Sequence, residues 1–204
     1  MVWPRLKIVG LGDSTTAGTP GFLSPLESPP SGQGNPESQY AYWMMKAHPV
    51  WIVLNRGING QRSEQILSRF KRDVLSEKPD CVIILAGVND VYQGHSIESV
   101  EKNLLSMYKM AIDAGIVVIA ATILPYDIAS KSEAEKIASL NQWIERVAEE
   151  LGILFCDTHA TVADPSNPNK LSGSPDEIHP DAAGYRKMGE ALSKVIEGHY
   201  SKKQ

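Results

Sequence analysis

Cys81-Val82-Ile83-Ile84-Leu85-Ala86-Gly87-Val88-Asn89-Asp90 is the stretch from which the fold is read. Its first six residues form an unbroken apolar run, with no alternation of polar and apolar positions. A run of that kind marks a strand buried on both faces, as in a parallel sheet covered by helices. It breaks at Gly87, and the polar pair Asn89-Asp90 follows the break.

The same sequence of strand, break and amphipathic segment recurs on either side. Upstream, Leu6-Lys7-Ile8-Val9-Gly10-Leu11-Gly12-Asp13-Ser14-Thr15-Thr16-Ala17-Gly18 starts as an apolar strand, breaks at glycine and sets a serine at the strand end. Residues 19–38, rich in Pro, Gly, Ser and Glu, read as a long loop and a lid candidate. Residues 40–48 predict a helix stopped by Pro49, and residues 51–54 a second strand that runs into the turn Asn55-Arg56-Gly57-Ile58-Asn59-Gly60-Gln61-Arg62-Ser63. Residues 63–75 predict a helix with Ile66, Leu67, Phe70 and Val74 facing inward.

Downstream, residues 97–114 give the clearest helical spacing, ended by Gly115, and residues 116–123 a fourth strand. Ser130-x-x-Glu133 is a capping box that opens a helix to about residue 151, ended by Gly152. Residues 153–156 are the fifth strand and residues 158–174 a second long loop. Asp176-Glu177-Ile178-His179 leads into a last helix, with Pro180 suited to its first turn. Residues 199–204 read as a frayed tail.

Fivefold alternation of strand and helix implies parallel strands joined by right-handed crossovers. The expectation is an α/β protein of one domain over residues 1–204: a three-layer α/β/α sandwich on a five-stranded parallel sheet in the flavodoxin-like order 2-1-3-4-5. Ligands of such sheets bind outside the carboxyl ends of the strands, and every polar motif in this chain follows a strand. The 204 residues, 42% hydrophobic and 22% charged, are ordinary for a globular domain with a sizeable core. A net charge of -4 gives no electrostatic reason to expect a nucleic-acid partner. Neither an 18-residue apolar stretch nor a leader-like N-terminus is present in this sequence, so no membrane span and a cytoplasmic location are expected. Cys81 and Cys156 lie in apolar runs and read as buried free thiols.

Ser14 by itself reads as a nucleophile, a phosphate contact or, the commonest use of serine at such a junction, a helix cap. Four strand-end blocks taken together are more specific. Gly12-Asp13-Ser14, Gly60 in its turn, Gly87-Val88-Asn89-Asp90 and Asp176-Glu177-Ile178-His179 occur in the order of the blocks of the SGNH hydrolases, also called the GDSL esterase/lipase family, and the chain resembles that family over nearly its whole length. The resemblance implies an ester hydrolase with Ser14 as nucleophile, His179 as general base and acid, and Asp176 orienting the imidazole. It assigns the oxyanion donors to the backbone N–H of Ser14, the backbone N–H of Gly60 and the side-chain amide of Asn89. Gly57, in the same turn as Gly60, is the alternative second donor. Two positions depart from the family's pattern: Thr15 stands where the family name has leucine, and Glu177 where glycine is common.

Each residue type suits the chemistry. A serine hydroxyl needs a base to take its proton, the base needs an acid to hold its tautomer, and the oxyanion needs preorganised donors. The expected substrate is a small-molecule ester with a short acyl group, and no cofactor or metal is required. Acyl transfer, thioester hydrolysis or lysophospholipid hydrolysis would use the same site. The competing non-enzymatic reading is a flavodoxin-like anion-binding module, in which Asp176 has no purpose. Asp13 and Asp90 read as loop braces. His159 falls near the site edge without a role, His48, His95 and His199 read as surface or helix-end residues, and Trp43, Tyr92 and Tyr126 are candidate apolar walls.

Overall fold

A computed structural model describes residues 4–201. Strands β1 (Lys7–Gly12), β2 (Ile52–Gly57), β3 (Cys81–Leu85), β4 (Val117–Ala121) and β5 (Leu154–Cys156) form one parallel sheet in the order β2-β1-β3-β4-β5. This is the expected 2-1-3-4-5 order, and with helices on both faces it makes a three-layer α/β/α sandwich. β3 is buried along its whole length, as its unbroken apolar run requires. Gly12 lies opposite Gly57 on one side and Leu85 on the other, so the chain leaves β1, β2 and β3 at nearly one level.

Nine helices occur among the described residues: α1 (Ser14–Ala17), α2 (Tyr40–Ala47), α3 (Ser63–Ser68), α4 (Phe70–Asp73), α5 (Val88–Tyr92), α6 (Ile97–Asp113), α7 (Lys131–Leu151), α8 (Thr158–Val162) and α9 (Ala182–Ser201). α2 packs on α9, where Gly189 lets the helices approach: a Cβ there would stand 2.8 Å from the Tyr40 carbonyl oxygen. α6 packs against both α3 and α7. The capping box at Ser130 forms as read, with Ser130 accepting from the Glu133 N–H and Glu133 accepting from the Ser130 N–H. Gly152 ends α7 in the left-handed conformation. Among the described residues no helix is long and apolar enough to cross a membrane.

Several local readings need correction. The single helix expected over residues 63–75 breaks at Arg69, which leaves helical geometry at φ -101° and ψ 3°, giving α3 and α4. The side chain at the break is turned under the sheet edge, as described below. The expected loop over residues 158–174 instead holds α8, capped by Asp157 through the Ala160 N–H, and a hairpin pairing Ala163–Asp164 with Asn167–Leu171. Pro180 lies before the last helix rather than in its first turn; Asp181 precedes that helix and accepts the Gly184 N–H. α9 continues through Ser201, so residues 199–201 of the expected tail are helical, while residues 202–204 lie outside the described residues. Cys81 and Cys156 are buried and share no disulfide among the described residues; Cys81 Sγ lies 3.4 Å from the Tyr200 hydroxyl.

The segment over residues 19–38 carries a two-residue hairpin, Phe22–Leu23 with Gln33–Gly34, and a 3-10 turn at Pro36–Ser38. It is fastened to the carboxyl end of β2. Ser24 Oγ donates to the Gly57 carbonyl at 2.6 Å, and Glu27 accepts the Asn59 N–H at 2.8 Å.

Candidate active site

The site is assembled at the carboxyl ends of β1, β2 and β3, where the sheet order opens a crevice between neighbouring crossovers. β1 ends at Gly12, where a Cβ would collide with the Leu85 carbonyl and the Thr16 side chain, so glycine is required for the turn into α1. Asp13 caps α1: its Oδ1 accepts the Thr15 N–H at 3.0 Å and the Thr15 hydroxyl at 2.8 Å. Because the aspartate is the cap, Ser14 occupies the first helical position and its hydroxyl is free of that task. Its backbone N–H, at the start of a helix, has no intrahelical acceptor.

His179 arrives from the other end of the chain, on the irregular segment before α9. Its Nε2 stands 3.0 Å from Ser14 Oγ and its Nδ1 2.7 Å from Asp176 Oδ2. The other oxygen of Asp176 accepts the backbone N–H groups of His179 at 2.8 Å and Ile178 at 3.1 Å, so the carboxylate fixes both the ring and the backbone that carries it. Partial burial alone would raise the Asp176 pKa, but the hydrogen bonds from the His179 ring and these two N–H groups outweigh it and hold the group below the ordinary carboxylate range. Ser174 Oγ braces the same turn by donating to the His179 carbonyl at 2.7 Å. Glu177, where the family commonly has glycine, sits at φ 65°. The left-handed backbone explains why a glycine suits that position.

The remaining candidates fall around the serine in different ways. Asn89, in the first turn of α5 after β3, donates its side-chain amide to the Gln61 carbonyl at 3.0 Å and lines the cavity beside Ser14. Gly57 is closely packed against the Thr16–Ala17 backbone, and its N–H is taken by Asn55 Oδ1 at 3.0 Å, so it has no donor to offer. Gly60 lies further along the exposed turn at φ 74°; its neighbour Asn59, not Gly60 itself, is among the residues lining the cavity. Asp90 braces the base of the site by accepting both the Ser63 N–H and the Ser63 hydroxyl at 2.8 Å.

The cavity over Ser14 is small, about 160 Å³, and its wall is apolar: Val88, Tyr92, Leu124, Pro125, Tyr126 and Ile178 surround the polar floor of Ser14, Asn89 and His179. Tyr92 stands edge-on to Tyr126, ring centroids 5.7 Å apart, and is 52% exposed at the mouth. Trp43 does not belong to this wall; it lies on α2 under Lys46 and Arg186. His159 faces a separate crevice with Asn141, Phe155 and Asp157. His48 is buried rather than solvated, stacked on Trp51 and 2.7 Å from Glu197. Among the described residues no group of three or more His, Cys, Asp or Glu side chains is placed to hold a metal ion.

Two further titratable residues, Asp13 and Arg69, are buried beside the strand ends that carry the site. Asp13 is fully buried, and its Oδ2 has no hydrogen-bond partner among the described residues. Burial raises its pKa to about 6 against the opposing pull of the Thr15 hydrogen bonds and the nearby His179. Arg69 is also buried, and its guanidinium bonds to several strand-end groups. The signal for Arg69 was present in the sequence: Arg69 and Asp73 are four apart and share a helix face with Ile66, Phe70 and Val74, an unusual place for two charges.

Comparison with known proteins agrees with this architecture. Residues 11–187 match the GDSL-like lipase/acylhydrolase family. An acetylxylan esterase from Geobacillus stearothermophilus is 28% identical over 158 residues, covering 71% of each chain. Among solved structures, a lipolytic protein of the G-D-S-L family from Desulfitobacterium hafniense superposes with a TM-score of 0.76 at 29% identity, over 93% of this chain and 98% of that one. A GDSL-like lipase from Bacteroides thetaiotaomicron gives the same TM-score at 27% identity, over 95% of this chain and 88% of that one.

Proposed function

The chain belongs to the GDSL-like lipase/acylhydrolase family and is an ester-hydrolysing enzyme; from that premise we propose that Ser14 is its nucleophile and that it removes short acyl groups through an acyl-enzyme. The observation that carries this reading is the single imidazole of His179 bridging Ser14 Oγ at 3.0 Å and Asp176 Oδ2 at 2.7 Å. In this mechanism Ser14 Oγ attacks the ester carbonyl as its proton passes to His179 Nε2, and Asp176 stabilises the resulting imidazolium through Nδ1–H. The carbonyl oxygen becomes an oxyanion held by the Ser14 N–H, the Asn89 amide and the Gly60 N–H. Collapse breaks the bond to the alcohol, which leaves with the proton from Nε2. Water then attacks the acyl-serine with His179 again as base, and release of the acid restores Ser14.

The small apolar cavity supports a short acyl group, since a volume of about 160 Å³ bounded by Tyr92, Leu124 and Tyr126 leaves little depth for a long chain. The similarity to an acetylxylan esterase supports an acetylated carbohydrate as the substrate class. The test combines active-site labelling with a chain-length series. A fluorophosphonate should label Ser14 in the wild type and leave Ser14→Ala unlabelled, kcat/KM on p-nitrophenyl esters should fall from acetate to octanoate, and acetylated xylo-oligosaccharides should release acetate. Absence of both label and turnover overturns the nucleophile assignment. Rates that rise with chain length overturn the short-acyl assignment, and intact acetyl-oligosaccharides with turnover of the aryl ester overturn the carbohydrate one.

A further inference from the structure

Arg69 places a guanidinium, 6% exposed, beneath the strand ends that carry the site. Its Nη2 donates to the carbonyl of Gly12 at 2.7 Å, two residues before Ser14. Its Nη1 donates to the carbonyl of Arg56 at 2.9 Å, at the end of β2, and to Asp73 Oδ2 at 2.7 Å. Its Nε donates to the side-chain carbonyl of Gln61 at 2.7 Å. Gln61 in turn offers its backbone carbonyl to the Asn89 amide. One planar, rigid donor fork therefore joins the strand that delivers the nucleophile to the turn that holds Gly60 and, through Gln61, to Asn89.

A buried charge of this kind is costly to maintain, and its partners show what it does. The ion pair with Asp73 does not account for its position, because Asp73 is also held by Arg72 through bonds of 2.6 and 3.0 Å. Burial alone would raise the Asp73 carboxyl, but the hydrogen bonds from Arg72 and Arg69 outweigh it and hold the group below its ordinary range. The three remaining acceptors all lie at the edge of the site, and each bond to them is charge-assisted and directional. The same interaction explains the break between α3 and α4, since Arg69 occupies the non-helical residue between them.

We infer that Arg69 is a positioning residue for ester hydrolysis, fixing the distance between the Ser14 nucleophile and the oxyanion donors on the turn at Gly60 and at Asn89. The inference rests on the reading of Ser14 as the nucleophile. It goes beyond that reading by naming the group that sets the spacing of the site's two halves. A displacement of about an ångström between such halves costs on the order of 10²-fold in rate. The loss should appear in the transition state and not in ground-state binding.

The test compares wild type, Arg69→Lys and Gln61→Ala on p-nitrophenyl acetate, with kcat expressed per site titrated by a fluorophosphonate. Lysine keeps the charge but not the fork, and Asp73 keeps its bonds to Arg72. Arg69→Lys should lower kcat per titrated site at least about tenfold with KM little changed. Affinity for phenylboronic acid, whose serine adduct is tetrahedral, should weaken in parallel. Gln61→Ala cuts only the link from the guanidinium to the turn and should show the same pattern more mildly; it carries the test if Arg69→Lys does not fold. A role confined to stability would reduce the titrated fraction yet leave kcat per site and boronate affinity as in wild type, and that result in a folded variant overturns the assignment. A wild-type protein that takes no fluorophosphonate overturns the nucleophile reading, and this inference with it.

Discussion

The side-chain amide of Asn89 donates to the carbonyl oxygen of Gln61 across 3.0 Å, joining the turn after β3 to the turn after β2. That bond uses one of the two amide hydrogens and orients the other. Asn89→Ala should therefore lower kcat by roughly 10²–10³-fold with little change in KM, the loss expected for one oxyanion donor. Steady-state kinetics on p-nitrophenyl acetate decide it. An unchanged kcat would make Asn89 a brace for the Gln61 turn and nothing more.

Asp176 accepts the His179 ring and two backbone N–H groups, so its negative charge and its geometry can be separated by Asp176→Asn. The amide cannot hold the Nδ1–H tautomer, and kcat at neutral pH should drop by roughly 10⁴-fold while the fold survives. Because the folded-state pKa of Asp176 is depressed, its contribution to stability is present above the ordinary carboxylate range and is lost as pH falls through the lowered value. Acid unfolding of Asp176→Asn should accordingly be less steep than that of wild type. Urea titrations across the acid limb measure this, and identical limbs would remove Asp176 from the linkage.

Asp13 has the opposite sign. Its folded-state pKa of about 6 lies above the ordinary value of 3.8, so its contribution is fully present below the ordinary value and is lost as pH rises through about 6. Asp13→Asn keeps an acceptor for Thr15 and has no charge to lose. The stability of the variant relative to wild type should rise by on the order of 2–3 kcal/mol from about pH 4 to about pH 7.5. Urea unfolding at the two pH values checks the difference, which removes any constant cost of burying the amide. A pH-independent difference would show that burial leaves the Asp13 pKa at its ordinary value.

Glu177 carries a side chain in the left-handed region at φ 65°. Glu177→Gly relieves a backbone cost of roughly 1–2 kcal/mol, partly offset by the entropy that glycine loses on folding. The variant should be neutral to about 1 kcal/mol more stable in thermal or urea unfolding, with kcat retained. A loss of more than about 1 kcal/mol would mean that the glutamate side chain itself stabilises the turn.

The architecture was readable from sequence because burial on both faces leaves strands β1, β3 and β4 as apolar runs that only a covered parallel sheet explains. The strand-end residues were readable because Gly12-Asp13-Ser14, Asn89 and Asp176–His179 each break such a run or lie close to a helix start. The hairpin at Asn167–Leu171 was hidden, since Asn and Pro are poor strand formers and its outer residues face solvent. Arg69 was legible only in part. Its place on an apolar helix face marks it as unusual, but its acceptors are carbonyls and a side chain distant in sequence, which local pattern does not reveal.

Ser14 and His179 are separated by 165 positions, one following the first strand of the sheet and the other preceding the last helix. On the ribosome, the sheet's first strand and its serine are therefore made well before the imidazole. On the proposed mechanism, a nascent chain that has already built β1 through β5 carries a hydroxyl without its base and should be chemically silent. Reactivity toward a fluorophosphonate would then switch on only when the segment around residue 179 docks, so labelling during synthesis would time the completion of the site.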